Sequence, residues 1–307
     1  MMPTIRPNSP KAWLLAARPK TLSGALAPVV IATALALSPS AQGGSGASPA
    51  AFWTVAALCL TFAALMQVAA NFINDYFDFR RGTDAADRLG PERACQQGWV
   101  TPRAMLLAIG LALTLAALAG LGLLAAASQT QDINMPALMG MGAACIAFAF
   151  LYTTLLSYCG GGDLLVWVFF GLVPVAGTYY VLTGTLSREA WLLAAAMGLV
   201  TDTLLVVNNY RDRASDRRAG KRTLVVALGE RFGEQFYLWQ GLAGTALAAL
   251  AVPASSLWLY LIYIVGHALN YRAMRRIHSG RGLNALIGRT SLAMLAFTLL
   301  TAAALLA

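Results

Sequence analysis

The sequence predicts an all-α fold, a multi-pass transmembrane helical bundle of about nine spans. Three observations predict it. Of 307 residues, 58% are hydrophobic and 11% charged, against roughly 45–50% and 25% in an ordinary soluble domain. The charges are bunched, leaving apolar stretches near the length of about 20 residues that crosses a bilayer. The basic residues also fall almost entirely in alternate connections. This composition excludes a soluble enzyme, a disordered chain and a secreted disulfide scaffold.

The first span runs from Thr21 to Ser38 and the second from Ala50 to Asn74. The third, Ala104 to Ala127, is 24 residues without a charge. Met135–Thr154, Leu164–Thr183 and Trp191–Tyr210 follow. From Gln235 to Tyr271 there are 37 residues with no Asp, Glu, Lys or Arg, and Pro253-Ala254-Ser255-Ser256 divides them into two short spans. The last span is about Thr290 to Leu306. The whole reads as one membrane-embedded domain over 1–307, with motif-bearing loops at about 71–103 and 208–232.

Threading these helices back and forth puts 21 of the 22 basic residues on one side, with only Arg188 opposite. Short loops rich in Lys and Arg stay cytoplasmic, so the N-terminus and both motif loops are expected inside. The net charge of +9 is read as topology and contact with anionic lipid, not as nucleic-acid binding. The 20 residues before the first apolar run argue against a cleaved leader. Cys59, Cys95, Cys145 and Cys159 have no metal-like spacing and read as structural or incidental. Gly160-Gly161-Gly162 reads as a loop hinge.

Seven of the 13 acids gather in two places. At the end of span two, Gln67, Asn71, Asn74, Asp75 and Asp78 recur at helical spacing, with Asp84 and Asp87 just beyond. At the end of span six, Asn209, Asp212 and Asp216 share a face, with Asp202 two turns deeper. Carboxylates next to membrane ends are often no more than solvated caps. Two Asn/Asp stripes reaching one membrane face from different helices call for more, because such residues are costly in a span unless they face a cavity or partner. Paired carboxylates with amide oxygens form the hard environment that Mg²⁺ selects. A diphosphate bridged by Mg²⁺ suits them, with Arg80, Arg81, Arg217, Arg218, Lys221 and Arg222 available for the remaining charge. At the mouth of an apolar bundle, the matching substrate is an amphiphile with a diphosphate head and a hydrocarbon tail. Ion-bound diphosphate is a good leaving group, and the dry pocket protects an allylic cation.

Asn74-Asp75-Tyr76-Phe77-Asp78 and Asp212-x-x-x-Asp216 resemble the two aspartate motifs of the UbiA superfamily of intramembrane prenyltransferases. Ala17-Arg18-Pro19-Lys20-Thr21-Leu22, Gly90-Pro91-x-Arg93 with Gln97-Gly98, and the run from Asn208 to Gly229 are similar to its naphthoate-prenylating branch. Many members carry a third acid four residues after Asp78; here that position is Gly82, and Asp84 lies two further on, as in the naphthoate branch. The resemblance implies that Asp75, Asp78, Asp212 and Asp216, helped by Asn71, Asn74 and Asn209, bind Mg²⁺ and diphosphate. It makes Lys221 and Arg18 or Lys20 candidates for phosphate contacts, and Tyr152 and Tyr180 candidates to shield the cation. The reaction it implies joins a polyprenyl diphosphate to 1,4-dihydroxy-2-naphthoate, giving demethylmenaquinol. Homogentisate or 4-hydroxybenzoate is the alternative acceptor. A transporter is the alternative class, against which the clusters lie at one face rather than near the midplane.

Overall fold

The computed structural model describes residues 5–39, 41, 48–82, 89–154 and 160–307; Asp84, Asp87, Arg88 and Cys159 lie outside them. The described residues form helices and connections, without strands. In chain order the helices are α1 (Pro10–Ala17), α2 (Pro19–Leu37), α3 (Pro49–Arg81), α4 (Pro102–Ser128), α5 (Met135–Thr154), α6 (Gly162–Trp167), α7 (Val173–Thr183), α8 (Arg188–Arg218), α9 (Leu224–Leu228), α10 (Glu230–Ala249), α11 (Tyr260–Ile277) and α12 (Leu283–Leu306). A π-helical turn, Val168–Leu172, joins α6 to α7 without a break.

Local chemistry sets the helix starts. The side-chain oxygens of Ser9, Ser48, Thr101, Ser187 and Thr223 each accept the backbone N–H three residues on, satisfying a donor that the first turn leaves open. Proline follows three of them at the first helical position, where its missing N–H costs nothing. Arg18 alone separates α1 from α2, at φ 52° and ψ 68°. The residue before a proline is pushed out of the helical region, so Pro19 forces a corner here. The Arg18 carbonyl accepts from both the N–H and the hydroxyl of Thr21, each at 2.9 Å.

Among the described residues, seven helical segments are long and apolar enough to cross a membrane: α2, α3, α4, α5 through Tyr152, the continuous Gly162–Thr183 unit, α8 and α12. Their outward faces are apolar, with Leu107 77% and Leu292 67% exposed, as a lipid-facing surface requires. The expected count of nine is not reached on these criteria. Helices α10 and α11, of 20 and 18 residues, flank the expected break at Pro253 but are less apolar. They carry buried polar side chains, Gln240, His267 and Asn270, which lower their hydropathy. His267 Nε2 lies 3.1 Å from the carbonyl oxygens of Tyr237 and Leu238, which ties α11 to α10, while Gln240 Nε2 donates to Asp202 on α8.

Two helices run further than expected. α3 ends at Arg81 rather than Asn74, and α8 at Arg218 rather than Tyr210, so 71–81 and 208–218 are helical and not loop. Charged side chains do not stop a helix; a change in backbone conformation does. Gly82 at φ 64° caps α3, and Gly220 at φ 73° follows α8.

Helix α8 is the central element, and its face joins α2, α7, α10, α11 and α12 in one apolar core around Leu193, Met197 and Val200. Close approach to the π-helical turn depends on two glycines. A Cβ on Gly198 would fall 2.5 Å from Trp167 Cδ1 and 2.6 Å from the Trp167 carbonyl oxygen, and one on Gly171 would fall 2.5 Å from Gly198 Cα. Small residues permit this approach between membrane helices. Gly198→Val is expected to cost about 1–3 kcal/mol by overpacking, read as a lowered unfolding temperature in detergent; an unchanged midpoint would contradict this packing.

Candidate active site

The polar ends of α3 and α8, the α1–α2 corner, the loop after Leu89 and the start of α12 surround the mouth of a cavity of about 1620 Å³. Arg18, Lys20, Asn71, Asn74, Asp78, Asn209, Asp212, Asp216 and Lys221 all line it, as does Tyr152 on its wall. The sequence reading named these residues as site candidates, and the fold brings them to one space. Away from the mouth the lining turns apolar, with Leu124, Leu138, Met141, Phe169 and Val181. One chamber therefore has a charged head and a hydrocarbon-like body.

Each carboxylate at the mouth has a cationic partner. Arg93 Nη2 donates to Asp78 Oδ2 at 2.9 Å, with both side chains buried. Arg211 grips Asp212 with two bonds, Nε to Oδ1 at 2.8 Å and Nη2 to Oδ2 at 2.6 Å. This fork geometry makes arginine the strong partner for a carboxylate. Lys221 Nζ stands 3.9 Å from Asp216 Oδ1, the loosest of the three. Asn284 steadies the second pair, accepting from Arg211 Nη1 and donating to the Leu89 carbonyl, each at 2.8 Å. It thereby ties α12 to both motif regions.

Asp75, expected among the metal-binding carboxylates, lies apart from this set in the structure and does not line the cavity. It is 1% exposed, and its two oxygens accept the backbone N–H groups of Ala94 and Cys95, each at 2.9 Å. The reason is angular. At about 100° per residue, Asp75 sits roughly 60° around α3 from Asp78, turned toward the loop rather than the cavity. Its carboxylate holds the segment that delivers Arg93 to Asp78. Asn71 lines the cavity, but its amide nitrogen donates to the Ala17 carbonyl at 2.8 Å and to Thr21 Oγ1 at 2.9 Å. Its amide thus holds the corner that carries Arg18. Tyr180 is not brought to the cavity: its hydroxyl accepts the Asn134 N–H at 2.9 Å, beyond the start of α5. Asp202 is buried and accepts from Gln240 Nε2.

The sequence reading left three site residues without a site role. Arg93 and Arg211 lie within the motif stretches, where the sequence alone accounts for them as topological charge. Asn284 gave no signal, being a single polar residue near the last span.

Among the described residues, no group of three or more His, Cys, Asp and Glu side chains forms a metal cage. Mg²⁺ does not require one, since it is commonly held by one or two carboxylates together with substrate phosphates and water. The mouth offers hard oxygen donors, Asp78, Asp212 and Asp216 with the Asn74 and Asn209 amides. That donor set suits such an ion arriving with a diphosphate.

The pattern of the UbiA prenyltransferase family matches residues 25–286. Over 300 residues the chain is 38% identical to a 1,4-dihydroxy-2-naphthoate octaprenyltransferase of Mycobacterium tuberculosis, covering 95% of this chain and 96% of that protein. Its fold is similar to that of a UbiA homolog from Aeropyrum pernix, with a TM-score of 0.65 at 18% identity over 94% of this chain and 97% of that one. It is also similar to a UbiA homolog from Archaeoglobus fulgidus bound to DMAPP and Mg²⁺, with a TM-score of 0.63 at 15% identity over 95% of this chain and 98% of that one.

The Asp75 bonds predict a specific local effect. Asp75→Asn places an amide NH₂ against one of the two backbone donors, at a cost of about 1–3 kcal/mol. The Ala94 and Cys95 amides should then exchange with deuterium faster, while Asp78→Asn leaves them protected. Equal exchange in wild type and Asp75→Asn would contradict the anchoring role.

Proposed function

The chain belongs to the UbiA prenyltransferase family, and from that premise we propose that it transfers a polyprenyl group from its diphosphate to 1,4-dihydroxy-2-naphthoate, with loss of CO₂ and diphosphate. The product is demethylmenaquinol, which places the enzyme in menaquinone biosynthesis. The observation that carries this reading is the two-part cavity of about 1620 Å³: paired carboxylates and cations at its mouth, and an apolar body that suits a prenyl tail. The relative's activity supplies the acceptor.

The chain's own residues divide the work. Asp78, Asp212 and Asp216 would hold Mg²⁺ with the diphosphate, and Asn74 and Asn209 would add neutral oxygens. When bound, the ion supplies positive charge that favours departure of the diphosphate. Arg93, Arg211 and Lys221, which here neutralise the same carboxylates, stand where phosphate oxygens need donors. Arg18 and Lys20 reach the mouth from the α1–α2 corner. The allylic C–O bond breaks with its electrons on the diphosphate. The ring carbon bearing the carboxylate forms the new C–C bond, and the electrons of the C–CO₂ bond return to the ring as CO₂ leaves. The apolar wall with Tyr152 keeps water from the electron-poor carbon.

The distribution of basic residues supports an orientation with the N-terminus and the cavity mouth cytoplasmic, in a bacterial cell membrane. The prenyl diphosphate then lies with its tail in the bilayer region and its head at the cytoplasmic face.

Purified protein incubated with Mg²⁺, a prenyl diphosphate and each candidate aromatic acid tests the acceptor. Prenylation of the naphthoate with CO₂ release is expected; prenylation of 4-hydroxybenzoate or homogentisate alone would contradict it. Asp212→Asn should lower kcat by on the order of 10²-fold or more, the scale of losing one charge-stabilising group, without blocking membrane insertion. EDTA should abolish turnover and Mg²⁺ restore it. Full activity of the variant, or of wild type in EDTA, would sink the metal–diphosphate arrangement.

A further inference from the structure

Of the four buried carboxylates among the described residues, Asp75, Asp78, Asp163 and Asp202, three have a partner described above, although Asp202 leaves Oδ1 open. Asp163 leaves both oxygens open. It is 6% exposed, and among the described residues no other residue hydrogen-bonds either carboxylate oxygen. A buried acceptor left unbonded is costly, and native structures rarely leave one without reason.

What Asp163 borders gives the reason. A recess of about 20 Å³ lies against it, walled by Tyr152, Gly160, Leu205, Asn209 and Thr223. Tyr152, Leu205, Asn209 and Thr223 also line the main cavity, so the recess adjoins the reaction chamber. Its volume admits one oxygen atom with its hydrogens, for which about 10–15 Å³ suffices, and excludes an aromatic ring. Its walls are fixed: a Cβ on Gly160 would stand 3.0 Å from the Arg222 carbonyl oxygen, and one on Gly162 would touch Leu205 and Tyr152.

We propose that Asp163 binds the acceptor: the naphthalene ring lies in the main cavity against Tyr152, and a ring hydroxyl enters the recess and donates to the Asp163 carboxylate. The inference rests on the dihydroxynaphthoate reading of the acceptor. The hydroxyl concerned is the one remote from the acceptor's carboxylate, because its neighbour is already bonded internally to that carboxylate. The contact fixes the ring's rotation, so that the carboxylate-bearing carbon faces the allylic carbon. It also explains an acid with no place in the diphosphate site and no cation beside it in the recess.

The test compares two acceptors differing by that hydroxyl, 1,4-dihydroxy-2-naphthoate and 1-hydroxy-2-naphthoate, the second as a competitor. In wild type the dihydroxy compound should bind about tenfold or more tightly, the scale of a hydrogen bond to a charged group. Asp163→Asn should raise KM for the dihydroxy compound by a similar factor. It should leave unchanged both KM for the prenyl diphosphate and Ki for the monohydroxy competitor. Equal weakening of both naphthoates, or a wild type that binds them equally, would overturn the assignment; the second comparison needs no variant to fold. Failure of wild type to prenylate the dihydroxy compound at all would overturn the acceptor reading itself, a separate result.

Discussion

A carboxylate inside an apolar helical bundle must be given a partner, and the choice of partner organises this protein. Desolvating a charge costs several kcal/mol that only good pairing offsets. Asp75 takes two backbone N–H groups and so fixes the loop at Ala94 and Cys95. That loop brings Arg93 to Asp78, while Arg211 forks onto Asp212 and is itself held by Asn284. The partners come from α3, the following loop, α8 and α12, so satisfying the acids also draws these elements together. The cavity mouth is a product of this pairing.

The same constraint explains the reactive character of the mouth. Three carboxylates with three neighbouring cations form a nearly neutral array that can exist without substrate. Such an array can take up a diphosphate with its cation, because negative phosphate meets the basic residues and positive metal meets the acids. The apolar body below it supplies dryness and room for a tail. Gly171 and Gly198 let α8 pack closely against the α6 end and the π-helical turn, which also line that body at Phe169 and Phe170.

Much of this was legible in the sequence. Hydropathy located the helices, and the helical spacing of Asn71, Asn74, Asp78, Asn209, Asp212 and Asp216 placed them on one mouth. Asp75 shares a motif with Asp78 but not its side of α3, and only the fold shows that it turns to the loop at Ala94 and Cys95. The two spans read between Gln235 and Tyr271 correspond to α10 and α11, where Gln240 and His267 lower the hydropathy while Gln240 Nε2 and His267 Nε2 bond within the bundle. Helix lengths beyond the membrane were underestimated because charge marks the edge of the bilayer and not the end of a helix. Asn284 and Asp163 were invisible in a different way: each is a single polar residue whose meaning lies entirely in what the fold places beside it.

The central claim is that the carboxylate–cation array at the mouth is a receptor for diphosphate with a divalent ion. Its most direct test is equilibrium binding of inorganic diphosphate to the purified protein in lipid nanodiscs, with and without Mg²⁺. Saturable, Mg²⁺-dependent binding that is lost in Asp78→Asn and Asp216→Asn is expected. Binding that is indifferent both to Mg²⁺ and to these aspartates would contradict the account.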